Sequence, residues 1–219
     1  MVQKSVVNQL GRSMIEMLGV LAIVGILSVG AIAGFNKAMS KYKYTRFLAT
    51  YSMFIQDIMK YQKDWVRTRR AAGLPDNDGT QFDLAVLLEQ MGLIPSSWQR
   101  ISDKHIVDDN GGRHRVSVRQ EQVIEFQYSF HALESEQKNS TEEAQRCVSL
   151  INDVLKQLEE LSSITFWKGN TRFGDFIYGK QHCPANKLCL NDLTYNQLYD
   201  QCTACAKANS NCSIVYYLK

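Results

Sequence analysis

The chain has 219 residues, of which 45% are hydrophobic and 21% charged, with a formal net charge of +3. So mild a charge argues against a nucleic acid or a strongly acidic substrate as partner. Its length suffices for one membrane-length apolar segment and one compact domain with its own core.

Residues 1–11 are a short polar leader ending at Gly11. From Met17 to Asn36 there are 20 residues without a charge, preceded by one carboxylate, Glu16. As a helix this run spans about 30 Å, the hydrocarbon thickness of a bilayer. A carboxylate at the edge of such a helix costs a few kcal/mol unless it meets an opposite charge. Gly30 and Gly34 have the small-xxx-small spacing that lets helices approach closely. Lys4 and Arg12 lie before the run, and Lys37, Lys41, Lys43 and Arg46 after it. That distribution weakly favours a cytoplasmic large domain, a preference that the cysteines outweigh.

Beyond the run, Phe47, Leu48, Tyr51, Phe54, Ile55, Ile58, Tyr61, Trp65 and Val66 recur at helical spacing, so the helix is expected to continue to about Arg70. Gly73 and Pro75 end it. Asp76 to Gly79 is a turn cluster. Thr80 to Leu93 reads as a short helix with Leu84, Leu87, Leu88 and Met91 inward, closed by Ile94-Pro95. Asp108 to Gly112 is a loop between strand-like segments. Arg113–Val118 and Val123–His131 are expected to pair as a hairpin, with Ile124, Phe126, Tyr128 and Phe130 on one face.

Ser140 and Glu143 form a capping-box pattern. The helix after it carries Ala144, Cys147, Val148, Ile151, Val154, Leu155, Leu158 and Leu161 on one face and is expected to end near Ser162-Ser163. Ile164–Trp167, Phe173–Tyr178 and Ile214–Leu218 are further strands, and Thr194 caps a last helix, Tyr195 to Lys207. The fold class is α+β: a long N-terminal helical spine packed on an antiparallel sheet, with a disulfide-rich C-terminal region.

The six cysteines are Cys147, Cys183, Cys189, Cys202, Cys205 and Cys212, and five fall in the last 37 residues. An even count so placed reads as a disulfide framework in an oxidising compartment, outside the cytoplasm; the sequence does not choose the pairing. Cys202-Thr203-Ala204-Cys205 has redox spacing but lacks a thioredoxin-like βαβ setting. Cys183, Cys189, Cys202 and Cys205 offer four thiolates to zinc in principle, a reading the oxidising location disfavours. His105, His114, His131 and His182 are scattered and match no catalytic motif. Arg67, Arg69 and Arg70 with Arg113, Arg115 and Arg119 are read as solvated charge, with a basic patch as the alternative. Asp76, Asp78 and Asp83 do not match a calcium loop.

Gly11, Glu16 five residues later and the apolar helix together resemble the prepilin signal of type IV pilins. Ile94-Pro95-Ser96-Ser97-Trp98, Gly111-Gly112 before Val116-Ser117-Val118, Phe126 and Cys147 resemble the middle of type IVb pilins. Leu193-Thr194-Tyr195-Asn196-Gln197-Leu198-Tyr199-Asp200-Gln201-Cys202 and Ser213-Ile214-Val215-Tyr216-Tyr217 resemble their C-terminal region. Arg12 stands where the family usually has an apolar residue, the leader is shorter than usual, and six cysteines exceed the usual single pair.

The resemblance implies cleavage by prepilin peptidase between Gly11 and Arg12, often with methylation of the new amine. It implies that Glu16 pairs with the N-terminal amine of a neighbouring copy during assembly. It implies residues 1–11 as leader, 12–36 as the membrane and filament-core half of the helix, and 37–219 as the exported domain, including the amphipathic stretch 37–70. The precursor would sit in the bacterial inner membrane with the domain in the periplasm, and then move to an extracellular filament. Its partners would be other copies of itself, the peptidase and the inner-membrane assembly machinery. In the family a C-terminal disulfide closes a surface loop region, which by likeness suggests Cys183 with Cys202 or Cys212. The expected function is a structural subunit of a type IV (IVb-like) pilus: a peptidase substrate and not an enzyme, with no metal or cofactor. The alternatives are a minor pilin or a type II secretion pseudopilin, or a membrane-anchored periplasmic redox or metal-binding protein.

Overall fold

The computed structural model describes residues 14–74, 80–119, 122–130, 140–169, 171–207 and 212–219. They form an α+β fold with a long N-terminal helix, an eight-stranded antiparallel sheet and three disulfides in the C-terminal half. Gly11, Arg12, Asp76, Asp78 and His131 lie outside the described residues. Two compact units divide the chain, Met1–Thr45 and Arg46–Lys219.

The first unit contributes the apolar part of helix α1 (Met14–Lys60). Its large side chains are exposed, including Met17, Leu21, Val24, Ile26, Val29 and Phe35. Two hydroxyls of α1, Ser28 and Thr45, bond to the helix's own backbone: Ser28 Oγ donates to the Val24 carbonyl at 2.7 Å, and Thr45 Oγ1 to the Lys41 carbonyl at 3.0 Å. Such back-bonding satisfies these two hydroxyls without water.

In the second unit α1 buries Phe47, Tyr51, Phe54, Ile55 and Ile58. The helix does not run unbroken to Arg70. It stops at Lys60 and restarts as α2 (Gln62–Ala71). At the break Tyr61 has φ −103° and ψ 16° and is 37% exposed rather than inward. The Ile58 carbonyl, which loses regular helical pairing there, accepts the Trp65 indole N–H at 2.8 Å. Trp65 therefore serves as core and as splice, which the apolar period could not show. Gly73, at φ +77°, follows the end of α2 as expected.

The sheet order is β2-β3-β4-β5-β8-β6-β7. Strands β4 (Arg113–Val118) and β5 (Ile124–Ser129) form the expected hairpin, with Val116 opposite Phe126. Two short strands share the outer edge of β4: β1 (Phe82–Asp83) pairs at Val118 and Ser117, and β3 (Ile106–Val107) at His114 and Arg113. β2 (Gln99–Arg100) pairs with β3. The C-terminal strand β8 (Cys212–Leu218) lies between β5 and β6 (Leu161–Lys168), and β7 (Thr171–Tyr178) pairs with the far side of β6.

Two expected helices are shorter than their apolar periods. Thr80–Leu93 begins instead with strand β1, and helix α3 (Ala85–Gln90) covers only its middle; Leu84 and Leu88 are buried but Met91 is 45% exposed. Leu84 N–H donates to the Val116 carbonyl at 2.9 Å, so sheet pairing captures the segment that would have been the first turn. Helix α4 (Ser140–Ser149) continues through a π turn at Leu150–Val154 and a 3₁₀ turn at Leu155–Gln157, then ends. Leu161, Ser162 and Ser163 belong to β6, where Leu161 opposes Leu218 and Ser163 opposes Tyr217. Helix α5 (Tyr195–Ala206) has the expected Thr194 cap, completed as a capping box by Gln197.

Candidate functional site

Glu16 lies in the first turn of α1 and is exposed. Among the described residues no ion pair in its own chain meets it, and the next carboxylate along the sequence is Asp57. Its place at the helix N-terminus, where unpaired N–H groups carry partial positive charge, offsets a fraction of the cost of the charge in an apolar setting. Gly30 and Gly34 are equally unengaged: a Cβ built on either meets nothing within 4 Å. Among the described residues α1 is the one helix long and apolar enough to cross a membrane. Burying each large apolar side chain of this stretch is worth about 1.5–3 kcal/mol, so apolar surroundings would stabilise it.

All six cysteines are joined, in a pattern different from that implied by likeness. Cys183 bonds Cys189, not Cys202 or Cys212; Cys147 bonds Cys202, and Cys205 bonds Cys212. The local reason is α5. Thr194 fixes its start, and at one-turn spacing Cys202 and Cys205 both point inward. Cys202 meets Cys147 on α4, and Cys205 meets Cys212 at the head of β8. The redox-spaced pair thus binds two different neighbours rather than itself, and the four cysteines weighed as zinc ligands are not free thiolates. Cys183 and Cys189 are half-buried, whereas the other four sulfurs lie in the core. The segment closed by Cys183 and Cys189 rests along the edge of β7, where Tyr178 N–H donates to the Leu188 carbonyl at 2.8 Å.

Of the histidines, His114 belongs to a buried polar cluster that the sequence did not single out. Its Nε2 lies 2.8 Å from Asp108 Oδ2, and both side chains are buried. Asp108 Oδ1 accepts the amides of Asn110 at 2.7 Å and Gly112 at 2.9 Å, so one carboxylate organises the whole turn. The imidazole stacks between Trp98 and Tyr128, with ring centroids at 4.4 and 4.8 Å. An aspartate, Asp108, heading an Asp-Asp-Asn-Gly-Gly turn that ends two residues before a strand histidine was the signal available. His105 is half-buried and His182 exposed. Burial first, then the Arg113 and Arg115 charges, lower the His105 pKa.

The arginines do not form one basic patch. Arg69 is buried and donates to the Leu74 and Thr80 carbonyls at 3.3 and 3.2 Å, so it is not solvated charge. Arg115 grips Asp83 with two bonds, at 2.6 and 3.0 Å. Arg119 Nε lies 2.7 Å from Glu125 Oε2, an ion pair whose angles fall outside those of a hydrogen bond. Asp83 is thereby committed to Arg115.

Comparison of the chain with protein-family models, with curated proteins and with solved structures finds no match.

Proposed function

We propose that the chain is a structural subunit of a type IV, IVb-like, pilus. In this reading prepilin peptidase cuts after Gly11, the precursor waits in the inner membrane on α1, and polymerisation bundles the apolar helices. Glu16 then receives the N-terminal amine of a neighbouring copy. The Arg46–Lys219 unit, stiffened by its disulfides, forms the filament surface outside the cell.

The observation that carries the reading is Glu16: an exposed carboxylate heading a bilayer-length apolar helix, with no counter-charge among the described residues of its own chain. A charge so placed becomes tolerable in an apolar assembly when a second molecule delivers a cation to it. The disulfide-joined sheet unit supports export, because three disulfides need an oxidising compartment.

Substitution Glu16→Ala, made in the native host, tests it. The expected result is loss of filaments with the protein still present in the membrane fraction. Filaments of normal number and length from that strain contradict the assembly role.

A further inference from the structure

The basic residues that follow the apolar run point to a lipid. Lys37, Lys41 and Lys43 lie within seven residues on α1, with Tyr42 among them. All four are exposed, Tyr42 by 63%. No acidic residue occurs between Glu16 and Asp57, so the local charge is uncompensated along the helix.

Their arrangement decides between kinds of partner. At about 100° per residue, Lys41 lies roughly 40° from Lys37, Tyr42 roughly 140° and Lys43 roughly 240°. The side chains therefore ring the helix rather than mark one face. A protein docking on one side would use one face; a bilayer surrounds the helix. Their depth agrees. Counted from Met17, Lys37 comes about 30 Å along the helix and Lys43 about 9 Å further, in the headgroup layer if the apolar run fills the hydrocarbon. Lysines there extend their ammonium groups to phosphates, and a tyrosine ring suits the same layer.

We propose that Lys37, Lys41 and Lys43, with Tyr42, form a collar that binds anionic phospholipid headgroups in the outer leaflet of the membrane that stores the subunit. The collar rests on the reading of α1 as a membrane span. It would hold the stored subunit at a fixed depth, and those contacts would have to break when the subunit is extracted into a filament.

The test uses the full-length protein in nanodiscs of equal phosphatidylglycerol and phosphatidylcholine, with the lipids retained on the protein counted by native mass spectrometry. The expected result is a phosphatidylglycerol enrichment on the order of tenfold. The triple variant Lys37→Gln, Lys41→Gln, Lys43→Gln should lose it. A control with the same charge change elsewhere, Lys156→Gln, Lys180→Gln, Lys187→Gln, should keep it. Absence of enrichment in the unmodified protein overturns the collar, and so does its equal loss in both variants or its persistence in the first. A protein that does not enter nanodiscs at all sinks the spanning reading instead, and the collar with it.

Discussion

The hydroxyl of Tyr216, on the central strand β8, donates to the hydroxyl of Tyr51, on α1, at 2.7 Å inside the core. The two residues are 165 positions apart, so this bond ties the helix to the C-terminal strand. Burial raises both phenol pKa values well above the ordinary one, and both groups remain neutral through the physiological range. Replacing Tyr51 with Phe strands the Tyr216 hydroxyl in the core and should cost about 1–3 kcal/mol. The double variant Tyr51→Phe, Tyr216→Phe should recover part of that loss. Chemical denaturation of the four proteins of the cycle measures the coupling; strict additivity would mean that the bond contributes nothing.

The three disulfides should open in order. Thiol exchange needs access to sulfur, and Cys183–Cys189 is the half-buried pair. It also closes a sequence separation of 6 against 55 for Cys147–Cys202. The chain-entropy estimate is about 2 kcal/mol for the short loop and about 4 for the long one. Under limiting dithiol, alkylation should appear first on Cys183 and Cys189, with faster hydrogen exchange at the Tyr178 amide and the rest of the sheet unchanged. Simultaneous labelling of Cys147 and Cys202 would contradict this order.

Glu125 is buried on β5, accepts Gln81 Nε2 at 2.5 Å and faces Arg119. Burial raises its pKa above 4.5, and the opposing pull of Arg119 and Arg115 does not cancel the effect. The folded state therefore holds the proton more tightly than the unfolded chain. Stability from this group is present at low pH and is lost as pH rises from 4.5 through the raised folded value. Glu125→Gln should flatten that part of the stability profile, seen as denaturation midpoints that change less with pH than those of the parent. An unchanged slope would mean that Glu125 is not the group responsible.

Gly179 precedes the short turn after β7 and lies so close to the Leu161 backbone that a Cβ there would collide with its carbonyl oxygen. Backbone cannot step aside as a flexible side chain can. Gly179→Ala should cost about 3 kcal/mol, the upper end of overpacking penalties. A thermal melt of the variant close to that of the parent would show that β6 and the turn separate easily.

Legibility from sequence followed how local each signal was. The bounds of β4 and the face of β5 that packs inward were readable because apolar alternation is a period-two signal carried within a strand. The Thr194 cap and the Gly73 stop were readable because caps are local chemistry. β1 was missed because a two-residue edge strand has no period and is specified by β4. The end of α4 was misplaced because Leu158 and Leu161 keep helical spacing while the backbone has already turned toward β6. The break at Tyr61 depends on the Trp65 indole reaching Ile58. The disulfide partners depend on which elements face α5: helix α4 at Cys202 and strand β8 at Cys205. For the candidate site, Glu16, Gly30 and Gly34 were legible as a carboxylate and two small residues on an apolar helix, and a Cβ built on either glycine meets nothing in this chain within 4 Å.

The most direct measurement is the intact mass, without reductant, of the protein purified from its native envelope. A chain beginning at Arg12, with or without one methyl group, and lighter by the six hydrogens of three disulfides is the predicted result. A full-length mass beginning at Met1 with six free thiols would contradict both the proposed processing and the proposed export.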